Sequence, residues 1–282
     1  MNTNLLTTNK NWLSYATKKL NAAKINSSSL DAVIILSFCL GVTKIEVLSN
    51  PQKVLTEKEL RHAENLLDKR LLNYPIAYIT KSIEFYNHSF YVDSRVLIPR
   101  PESESFINLL KAVNIADLKY LTDLGCGSGV LGISAKLQFS HLKIELLDKS
   151  KSALNVADIN LIKFGLKSHS KLSNLLSSSN NKFDIIVANL PYVPQKMVVS
   201  RAVLFEPKMA VFAENDGLYF YNKMLKQLND INHRPKYILV ECLSQQVSTL
   251  TKLLNKLHYK QIRSEGLVHM FLFDSKKIGC QL

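Results

Sequence analysis

Residues 120–135 read YLTDLGCGSGVLGISA, and this stretch decides the fold. The apolar run at 120–124 predicts a short buried strand, and the pattern from Val130 onward predicts a helix. Between them stand Gly125, Gly127 and Gly129, which let the backbone turn sharply and approach a ligand closely. Their spacing is G-x-G-x-G rather than the G-x-G-x-x-G of dinucleotide sites. A strand, a glycine turn and a helix in this order favour a doubly wound α/β fold.

Two acidic residues near this turn indicate the kind of ligand. Asp123 stands just before the glycines, where a carboxylate disfavours a pyrophosphate and favours a cationic group such as an amino-acid moiety. Asp148 follows a second predicted strand, 142–147, where it can accept hydrogen bonds from both hydroxyls of a ribose. A plain tight turn would also explain the glycines, and a helix N-cap would explain Asp148. Together, in this order, the three features favour a nucleoside ligand with a cationic group.

Residues 183–194, FDIIVANLPYVP, say the most about chemistry. The apolar residues 185–187 predict a buried strand that runs into Asn189-Leu190-Pro191-Tyr192, and ligands of open α/β sheets bind outside such strand ends. The Asn189 side-chain oxygen and a neighbouring main-chain carbonyl are both acceptors, so together they can hold both hydrogens of a planar NH2 group. Pro191 restricts the backbone, and Tyr192 offers a flat face to that group. An ordinary proline-containing turn is the alternative for this tetrapeptide taken alone.

Strands and helices alternate from about Glu102 onward. The predicted strands are 120–124, 142–147, 170–173, 184–188, 237–242, 258–263 and 268–273. This alternation predicts an α/β fold with a doubly wound, mostly parallel, seven-stranded sheet. The last two strands lie too close together for a helical crossover, so we expect them to form an antiparallel hairpin.

The chain before this sheet is predicted to be helical. Apolar residues recur at helical spacing in two stretches, at Leu30, Val33, Ile34 and Leu40 and at Leu60, Ala63, Leu66, Leu67 and Leu71. Thr56 and Glu59 form a capping-box pattern that opens the second helix. Residues 75–98 alternate apolar and polar side chains as a short hairpin does. The expected organisation is an N-terminal helical domain (1–74), a hairpin linker (75–100) and a larger α/β domain (101–282).

The amino-acid composition limits the classes of protein to which this chain can belong. The 282 residues include 36 Lys and Arg against 23 Asp and Glu, a formal net charge of +13. The basic residues form no clustered run, so the diffuse charge favours approach to a nucleic-acid-rich or acidic partner without supplying a dedicated nucleic-acid arm. Four scattered cysteines and seven histidines indicate neither a disulfide framework nor a metal site, which fits a reducing cytoplasm. No signal peptide is predicted, and the apolar run 33–40 is too short to span a membrane.

Several segments resemble one enzyme family. Residues 97–104, LIPRPESE, are similar to the "IPRPETE" signature of the release factor glutamine methyltransferase family (HemK/PrmC), a group of class I S-adenosylmethionine-dependent methyltransferases. Residues 75–86, 206–210 and 216–218 resemble other family segments, and the tetrapeptide 189–192 resembles the family motif Asn-Pro-Pro-Tyr. The resemblance covers nearly the whole chain, most weakly before residue 28 and after residue 245.

The resemblance implies an enzyme with a defined substrate. It would transfer a methyl group from S-adenosyl-L-methionine to the side-chain amide nitrogen of the glutamine in the Gly-Gly-Gln motif of class 1 peptide chain release factors. The N-terminal helices and the hairpin would dock that protein. No direct contact with nucleic acid or membrane is implied, and we expect a cytoplasmic monomer.

The resemblance also implies roles for single residues. The expected catalytic residues are Asn189, Pro191 and Tyr192. The expected substrate contacts are these three together with Leu190, Phe85, Arg100 and Glu104. The expected cofactor contacts are Asp123, Gly125, Cys126, Gly127, Ser128, Gly129, Asp148, Asn174, Leu175 and Asn189. No metal is expected, and Cys126 is interpreted as filling a small-residue position rather than as a nucleophile.

Two positions depart from the family pattern. Leu190 stands where the first proline of the motif belongs, which keeps the carbonyl but loosens the backbone. Asn174 replaces an aspartate on the adenine side of the cofactor, and its neighbour Leu175 replaces a more common aromatic residue. The Leu190 carbonyl and the Asn174 side-chain oxygen can both still accept hydrogen bonds, so we expect activity to survive with somewhat weaker positioning and cofactor binding.

Other functions remain open on the sequence. A methyltransferase acting on an exocyclic amine of RNA or DNA could use the same pair of acceptors, although it would need a base-flipping pocket. A ribosomal-protein glutamine methyltransferase is a nearer variant, but that group resembles "PRSP" where this chain has 100–104. A third alternative is a binding module that has lost catalysis through changes at Leu190 and Asn174.

Overall fold

The computed structural model describes residues 7–167, 169–179, 182–231 and 233–274, and their contacts group them into two units. The first unit contains the described residues up to Ser82 together with Val199–Phe205. The second contains Ile83–Val198 and the described residues from Glu206 onward. The boundary between the units therefore lies inside the predicted linker 75–100.

The first unit is helical, as predicted. Its helices are α1 (Asn9–Ala22), α2 (Ser28–Leu40), α3 (Lys44–Ser49), α4 (Glu57–Leu71) and α5 (Ile76–Thr80). The predicted capping box opens α4, because the Thr56 hydroxyl accepts from the Glu59 N–H and the Glu59 carboxylate accepts from the Thr56 N–H. Trp12, Leu20, Ile35, Leu36 and Leu67 are among the residues of a separate hydrophobic core in this unit.

Two predictions for this region are wrong in detail. The spacing predicts Leu30 on the apolar face of α2, but its side chain is 55% exposed while Ile35 and Leu36 are fully buried. Residues 32–36 are all apolar, so periodicity alone cannot identify the buried face of this helix. Residues 76–80 are predicted in the hairpin but form α5, because Pro75 fits the start of a helix and lets the turn begin there.

The second unit alternates strands and helices. Its elements are β1 (Ser82–Phe85), which begins at the unit boundary, β2 (His88–Tyr91), α6 (Ser105–Lys111), β3 (Tyr120–Leu124), α7 (Val130–Gln138), β4 (Lys143–Asp148), α8 (Lys151–Lys163), β5 (His169–Leu172), β6 (Ile185–Ala188), β7 (Val193–Pro194), α9 (Lys208–Val211), β8 (Phe212–Ala213), α10 (Tyr219–Asn229), β9 (Tyr237–Glu241), α11 (Val247–Lys256), β10 (Tyr259–Glu265) and β11 (Val268–Phe273). Strands β1 and β2 form the predicted hairpin, and β7 pairs with β8 in a small parallel ribbon.

The seven-stranded sheet has the order β10-β11-β9-β6-β3-β4-β5. Neighbours from β9 to β5 run parallel, while β11 is antiparallel to both β9 and β10, so the predicted mostly parallel sheet and closing hairpin are confirmed. Alternate residues point to opposite faces, and Ile186 and Val187 accordingly belong to two different hydrophobic clusters. Strands β3, β4, β6 and β9 end at the same edge, where the predicted site residues follow.

Candidate active site

The glycine turn after β3 is fixed to the end of β4. The N–H groups of Gly125 and Cys126 both donate to the Leu147 carbonyl, at 2.8 and 3.0 Å. The Gly127 N–H donates to Asp148 Oδ2 at 3.0 Å. Gly127 has a φ of +54°, which favours glycine, and a Cβ at this position would meet open space. The backbone of the turn is therefore held in place with one face free for a ligand.

Asp148 lies at the rim of this turn. Its Oδ1 accepts from the Ser150 N–H at 2.8 Å and its Oδ2 from Gly127. Burial raises the pKa of the Asp148 carboxyl, and these two N–H donors oppose the rise. Each carboxylate oxygen keeps a further lone pair, so the group can still accept from hydroxyls of a ligand.

Asp123 lies deeper than its predicted role suggests. Its side chain is only 1% exposed, and Oδ2 accepts from the Gly132 N–H of α7 at 2.8 Å. Burial raises its pKa to about 7, and the negative charge of Asp148 adds to the rise. Asp123 does not line the cavity described below, so its direct contact with a cofactor stays a prediction.

Three further predicted cofactor residues form the inner side of the turn. Cys126 and Ser128 are buried, and neither they nor Gly129 line the cavity. Burial raises the pKa of the Cys126 thiol well above its ordinary value, which keeps it protonated and argues against a nucleophilic role. The interpretation of Cys126 as a small space-filling residue agrees with this position.

A cavity of about 320 Å³ opens at the carboxyl edge of the sheet. Eight of the predicted site residues line it, namely Gly125, Gly127, Asp148, Asn174, Leu175, Asn189, Leu190 and Pro191. Segments that the sequence did not single out for the site complete the wall, among them 94–97 and the side chain of Phe220. Because the parallel strands end at one edge of the sheet, residues up to 66 positions apart in the chain, from Gly125 to Pro191, line the same cavity.

Asn174 and Leu175 form a strained turn on one wall of the cavity. Leu175 has a φ of +59°, an unfavourable conformation for a bulky residue. The Ser173 hydroxyl fixes the turn by donating to the Leu175 carbonyl at 2.6 Å and accepting from the Ser178 N–H at 3.0 Å. Such over-determined strain is typical of ligand-binding segments.

The Asn189 amide is oriented by two protein acceptors. Its Nδ2 donates to Ser103 Oγ at 3.0 Å and to Glu241 Oε2 at 3.1 Å. The amide nitrogen therefore faces acceptors within the protein, and Oδ1 is the atom that remains for a ligand. The Leu190 carbonyl receives no hydrogen bond from the residues that the structure describes, which leaves a second acceptor beside Asn189.

Tyr192 is held at both its ends. Its hydroxyl donates to Glu241 Oε1 at 2.8 Å, and its carbonyl accepts from Gln246 Nε2 at 2.8 Å. Gln246 Nε2 also donates to the Asp216 carbonyl at 2.6 Å. Tyr192 does not line the cavity, so its predicted stacking against the substrate stays a prediction. The contacts fix the course of the chain after Asn189.

Three predicted substrate residues have structural partners. Phe85 is 1% exposed and packs edge-to-face with Phe90, at 6.4 Å between ring centroids. Glu104 Oε1 accepts from the Tyr86 N–H at 2.9 Å and so fixes the hairpin turn, and Arg100 is paired with Glu206. Phe85, Arg100 and Glu104 do not line the cavity, and their contact with substrate stays a prediction.

Glu241 is a site residue that the sequence did not single out. It ends β9 in the same way that Asp148 ends β4, and Val240 pairs with Ala188, which brings Glu241 beside Asn189. Its side chain is buried, and burial raises its pKa. An acidic residue at the end of a predicted strand already marks Glu241 as a candidate site residue. Its partner Asn189 can be identified only from the strand order, which places β9 beside β6.

Metal-binding clusters and membrane-spanning helices are both absent from the part of the chain that the structure describes. No group of three or more His, Cys, Asp or Glu side chains in that part of the chain could hold a metal ion. None of the helices described for this chain is long and apolar enough to cross a membrane.

Comparisons with known proteins bear on both units. The model of the PrmC N-terminal domain matches residues 11–80, and the model of the methyltransferase small domain matches residues 103–207. Among solved structures, the catalytic domain of hMettl16 in complex with a MAT2A 3'UTR hairpin aligns with a TM-score of 0.53 at 13% identity, over 81% of this chain and 87% of that chain. A likeness at this identity supports the fold alone.

Curated relatives match over most of their length. The release factor glutamine methyltransferase of Mycoplasma mycoides subsp. mycoides SC is 36% identical over 230 residues, which cover 79% of this chain and 81% of the relative. The protein of the same name from Leptospira interrogans is 38% identical over 70% of this chain and 72% of its own. The chain therefore belongs to the release factor glutamine methyltransferase family.

Proposed function

We propose that this chain methylates the side-chain amide nitrogen of the glutamine in the Gly-Gly-Gln motif of class 1 release factors, with S-adenosyl-L-methionine as methyl donor. The observation that carries the proposal is the fixed orientation of Asn189. Its Nδ2 is bound by Ser103 and Glu241, so that Oδ1 is presented beside the Leu190 carbonyl. Two adjacent acceptors match the two hydrogens of a primary carboxamide.

The cavity suits the proposed methyl donor. Its volume of about 320 Å³ falls at the lower end of the range for small-molecule sites. Gly125 and Gly127 bring backbone close to it, Asp148 offers carboxylate oxygens to ribose hydroxyls, and Leu175 and Phe220 offer apolar surface to an adenine. S-adenosylmethionine supplies a methyl carbon made electrophilic by its sulfonium. These residue types fit the polar and apolar parts of that molecule.

The residues around Asn189 would activate a poor nucleophile. An amide nitrogen holds its lone pair in conjugation with the carbonyl, so positive charge on nitrogen is costly. Asn189 Oδ1 and the Leu190 carbonyl would accept hydrogen bonds from its two N–H groups and stabilise the positive charge that develops on nitrogen during transfer. One preorganised hydrogen bond of this kind changes kcat by about 100- to 1000-fold. Holding the nitrogen in place also removes the entropy cost of alignment. The proton can leave afterwards, so no dedicated base is required.

The proposal also concerns the setting of the reaction. The N-terminal helices would dock the release factor, since the model of the PrmC N-terminal domain matches them. A substrate of the translation machinery supports a cytoplasmic location. The enzyme is proposed to act as a monomer.

The experiment is methylation of purified substrates. The protein is incubated with methyl-labelled S-adenosylmethionine and either a class 1 release factor, the same factor with its motif glutamine replaced by alanine, ribosomal RNA or tRNA. We expect label on the glutamine of the intact factor, located by mass spectrometry of the peptide. Label on RNA, or equal label on the alanine variant, would overturn the assignment.

The first variant to test is Asn189→Ala. Removing Oδ1 takes away one of the two acceptors that hold the substrate amide, so we expect kcat to fall by about 100- to 1000-fold. Cofactor affinity is expected to stay within about tenfold, or ~1.4 kcal/mol, measured by calorimetry. Retention of normal kcat would remove Asn189 from the reaction.

A further inference from the structure

Glu241 lies behind the proposed catalytic residues and makes no contact with the cavity. We propose that Glu241 is a positioning residue, which with Ser103 determines that the oxygen of the Asn189 amide, and not its nitrogen, faces the substrate. This inference rests on the proposed function and assigns to it a residue that touches neither cofactor nor substrate.

The geometry around Glu241 is that of an acceptor with three donors. Oε2 accepts from Ser103 Oγ at 2.6 Å and from Asn189 Nδ2 at 3.1 Å, while Oε1 accepts from the Tyr192 hydroxyl at 2.8 Å. The carboxylate is buried at 1% exposure, so water does not substitute for these partners. One buried group therefore fixes the first and the last residue of the tetrapeptide 189–192.

The orientation of an asparagine amide is not determined by its shape. Rotation of the terminal group by half a turn exchanges oxygen and nitrogen while filling nearly the same space, so only the hydrogen-bond partners decide between the two states. The Ser103 and Tyr192 hydroxyls donate to the two oxygens of Glu241, so this carboxylate acts as an acceptor toward Asn189. The rotated state would set Asn189 Oδ1 against Glu241 Oε2 and would present N–H groups to the N–H groups of the substrate. Glu241 excludes that state.

Ser103 strengthens the same selection. Its single hydroxyl proton is donated to Glu241, so its oxygen can only accept from Asn189, at 3.0 Å. The NH2 group of the Asn189 amide thereby faces two acceptors that have no proton to offer it. If Glu241 only filled space in the core, this pattern of donors and acceptors around it would not be needed.

The test exchanges donor and acceptor between the two residues. In Asn189→Asp the new carboxylate faces Glu241 with a single Ser103 proton between them, and we expect kcat to fall about 100-fold or more. When Asn189→Asp is combined with Glu241→Gln, the new glutamine NH2 can donate to one oxygen of the introduced aspartate, while the other oxygen of that aspartate faces the substrate as an acceptor. We expect this double variant to be at least about tenfold faster than Asn189→Asp.

Single variants and a matched control complete the cycle. Glu241→Gln alone leaves one acceptor for three donors, so we expect kcat to fall about tenfold with cofactor affinity within about threefold. Glu265 is the control, because it also accepts from a serine and an asparagine, Ser105 and Asn108, but at an exposed position away from the cavity. Glu265→Gln is expected to keep normal kcat.

The outcomes separate the two proposals. If the wild-type chain methylates the release factor but the double variant is no faster than Asn189→Asp, while circular dichroism and cofactor binding show that both variants are folded, the positioning role is overturned. Normal kcat in Glu241→Gln would also overturn it. If the wild-type chain itself leaves the motif glutamine unmodified, the proposed function fails, independently of the variants.

Discussion

Asp123 lies where β3 meets the glycine turn, and burial governs its ionisation. Its pKa of about 7 in the folded protein is above the ordinary value of 3.8, so the native state binds this proton more tightly than the unfolded chain. Ionised Asp123 therefore destabilises the native state above pH 7. That cost is relieved as the pH falls from about 7 towards 3.8.

Asp123→Asn is expected to remove this titration. An asparagine oxygen can still accept from the Gly132 N–H, so the local hydrogen bond is kept. The difference in unfolding free energy between variant and wild type is expected to shrink by about 3 kcal/mol between pH 8 and pH 5, with the variant favoured at pH 8. Urea unfolding of the two proteins at both pH values measures it, and other groups titrate equally in both. A difference that is independent of pH would contradict the assigned pKa.

Gly127 combines a backbone requirement with an open space at the cavity. Gly127→Ala is expected to destabilise the protein by about 1–2 kcal/mol, because of its positive φ, and to weaken cofactor binding about tenfold or more. Gly165→Ala is the matched control, since Gly165 has a φ of +64° and open space around its Cα but lies away from the cavity. Thermal unfolding and calorimetric titration separate the two effects. Equal cofactor affinity in both variants would show that the turn does not contact the cofactor.

Single residues show what sequence reasoning can and cannot supply. Asp148 and Asn189 were predictable because each directly follows an apolar strand, and parallel strands end at one edge of the sheet. Glu241 also stands at the end of a strand, but its role depends on β9 lying beside β6. The order of the strands in the sheet cannot be read from the sequence. Phe85 and Glu104 were assigned through resemblance alone, and their burial and local partners were not available from spacing.

At the scale of elements, a short turn supports the tetrapeptide after β6. The helical turn Asn215–Gly217 brings Gly217 so close to Tyr192 that an added Cβ would lie 2.0 Å from the Tyr192 carbonyl oxygen and 2.2 Å from Gln246 Nε2. Gly217 also has a φ of +87°. Only glycine fits there without displacing the hydrogen bond from Gln246 to Tyr192.

Gly217→Ala is therefore expected to shift the segment that carries Asn189. Overpacking of this kind costs about 1–3 kcal/mol, and we expect kcat to fall about tenfold or more while the protein remains folded. Gly41→Ala controls for the backbone effect, because Gly41 has a φ of +66° with nothing near its Cα and ends a helix of the first unit. Methylation rates and thermal unfolding are compared for both variants. Normal kcat in Gly217→Ala would mean that the tetrapeptide tolerates this displacement.

Elements also differ in how well their patterns predicted them. Helix α4 has one apolar face, and both its start and its buried side were predicted correctly. Helix α2 is apolar almost all round, so its face was misassigned at Leu30. The alternation over 75–98 predicted the hairpin correctly at its centre but concealed α5, since five residues are too few to show a helical period.

At the scale of the whole molecule, the chain passes between the two units more than once. Val199–Phe205 belongs to the first unit although it follows the tetrapeptide of the second, and Phe205 stacks edge-to-face on Tyr74 at 5.3 Å between ring centroids. Such a long-range association has no local signal in the sequence. Each unit nevertheless has hydrophobic clusters of its own, which supports independent folding.

All residues that line the cavity lie in the second unit, so a chain of residues 83–282 is expected to bind S-adenosylmethionine with an affinity within about threefold of the full chain. The same fragment lacks the helices proposed to dock the release factor. Its kcat/KM on that protein is therefore expected to fall about 100-fold or more, or roughly 3 kcal/mol of lost binding. Phe205→Ser is added to the fragment because Phe205 loses Tyr74 there. Calorimetry and methylation assays on fragment and full chain measure both quantities.

A folded fragment that binds no cofactor would place part of the site in the first unit. Unchanged kcat/KM would mean that the helices do not dock the release factor.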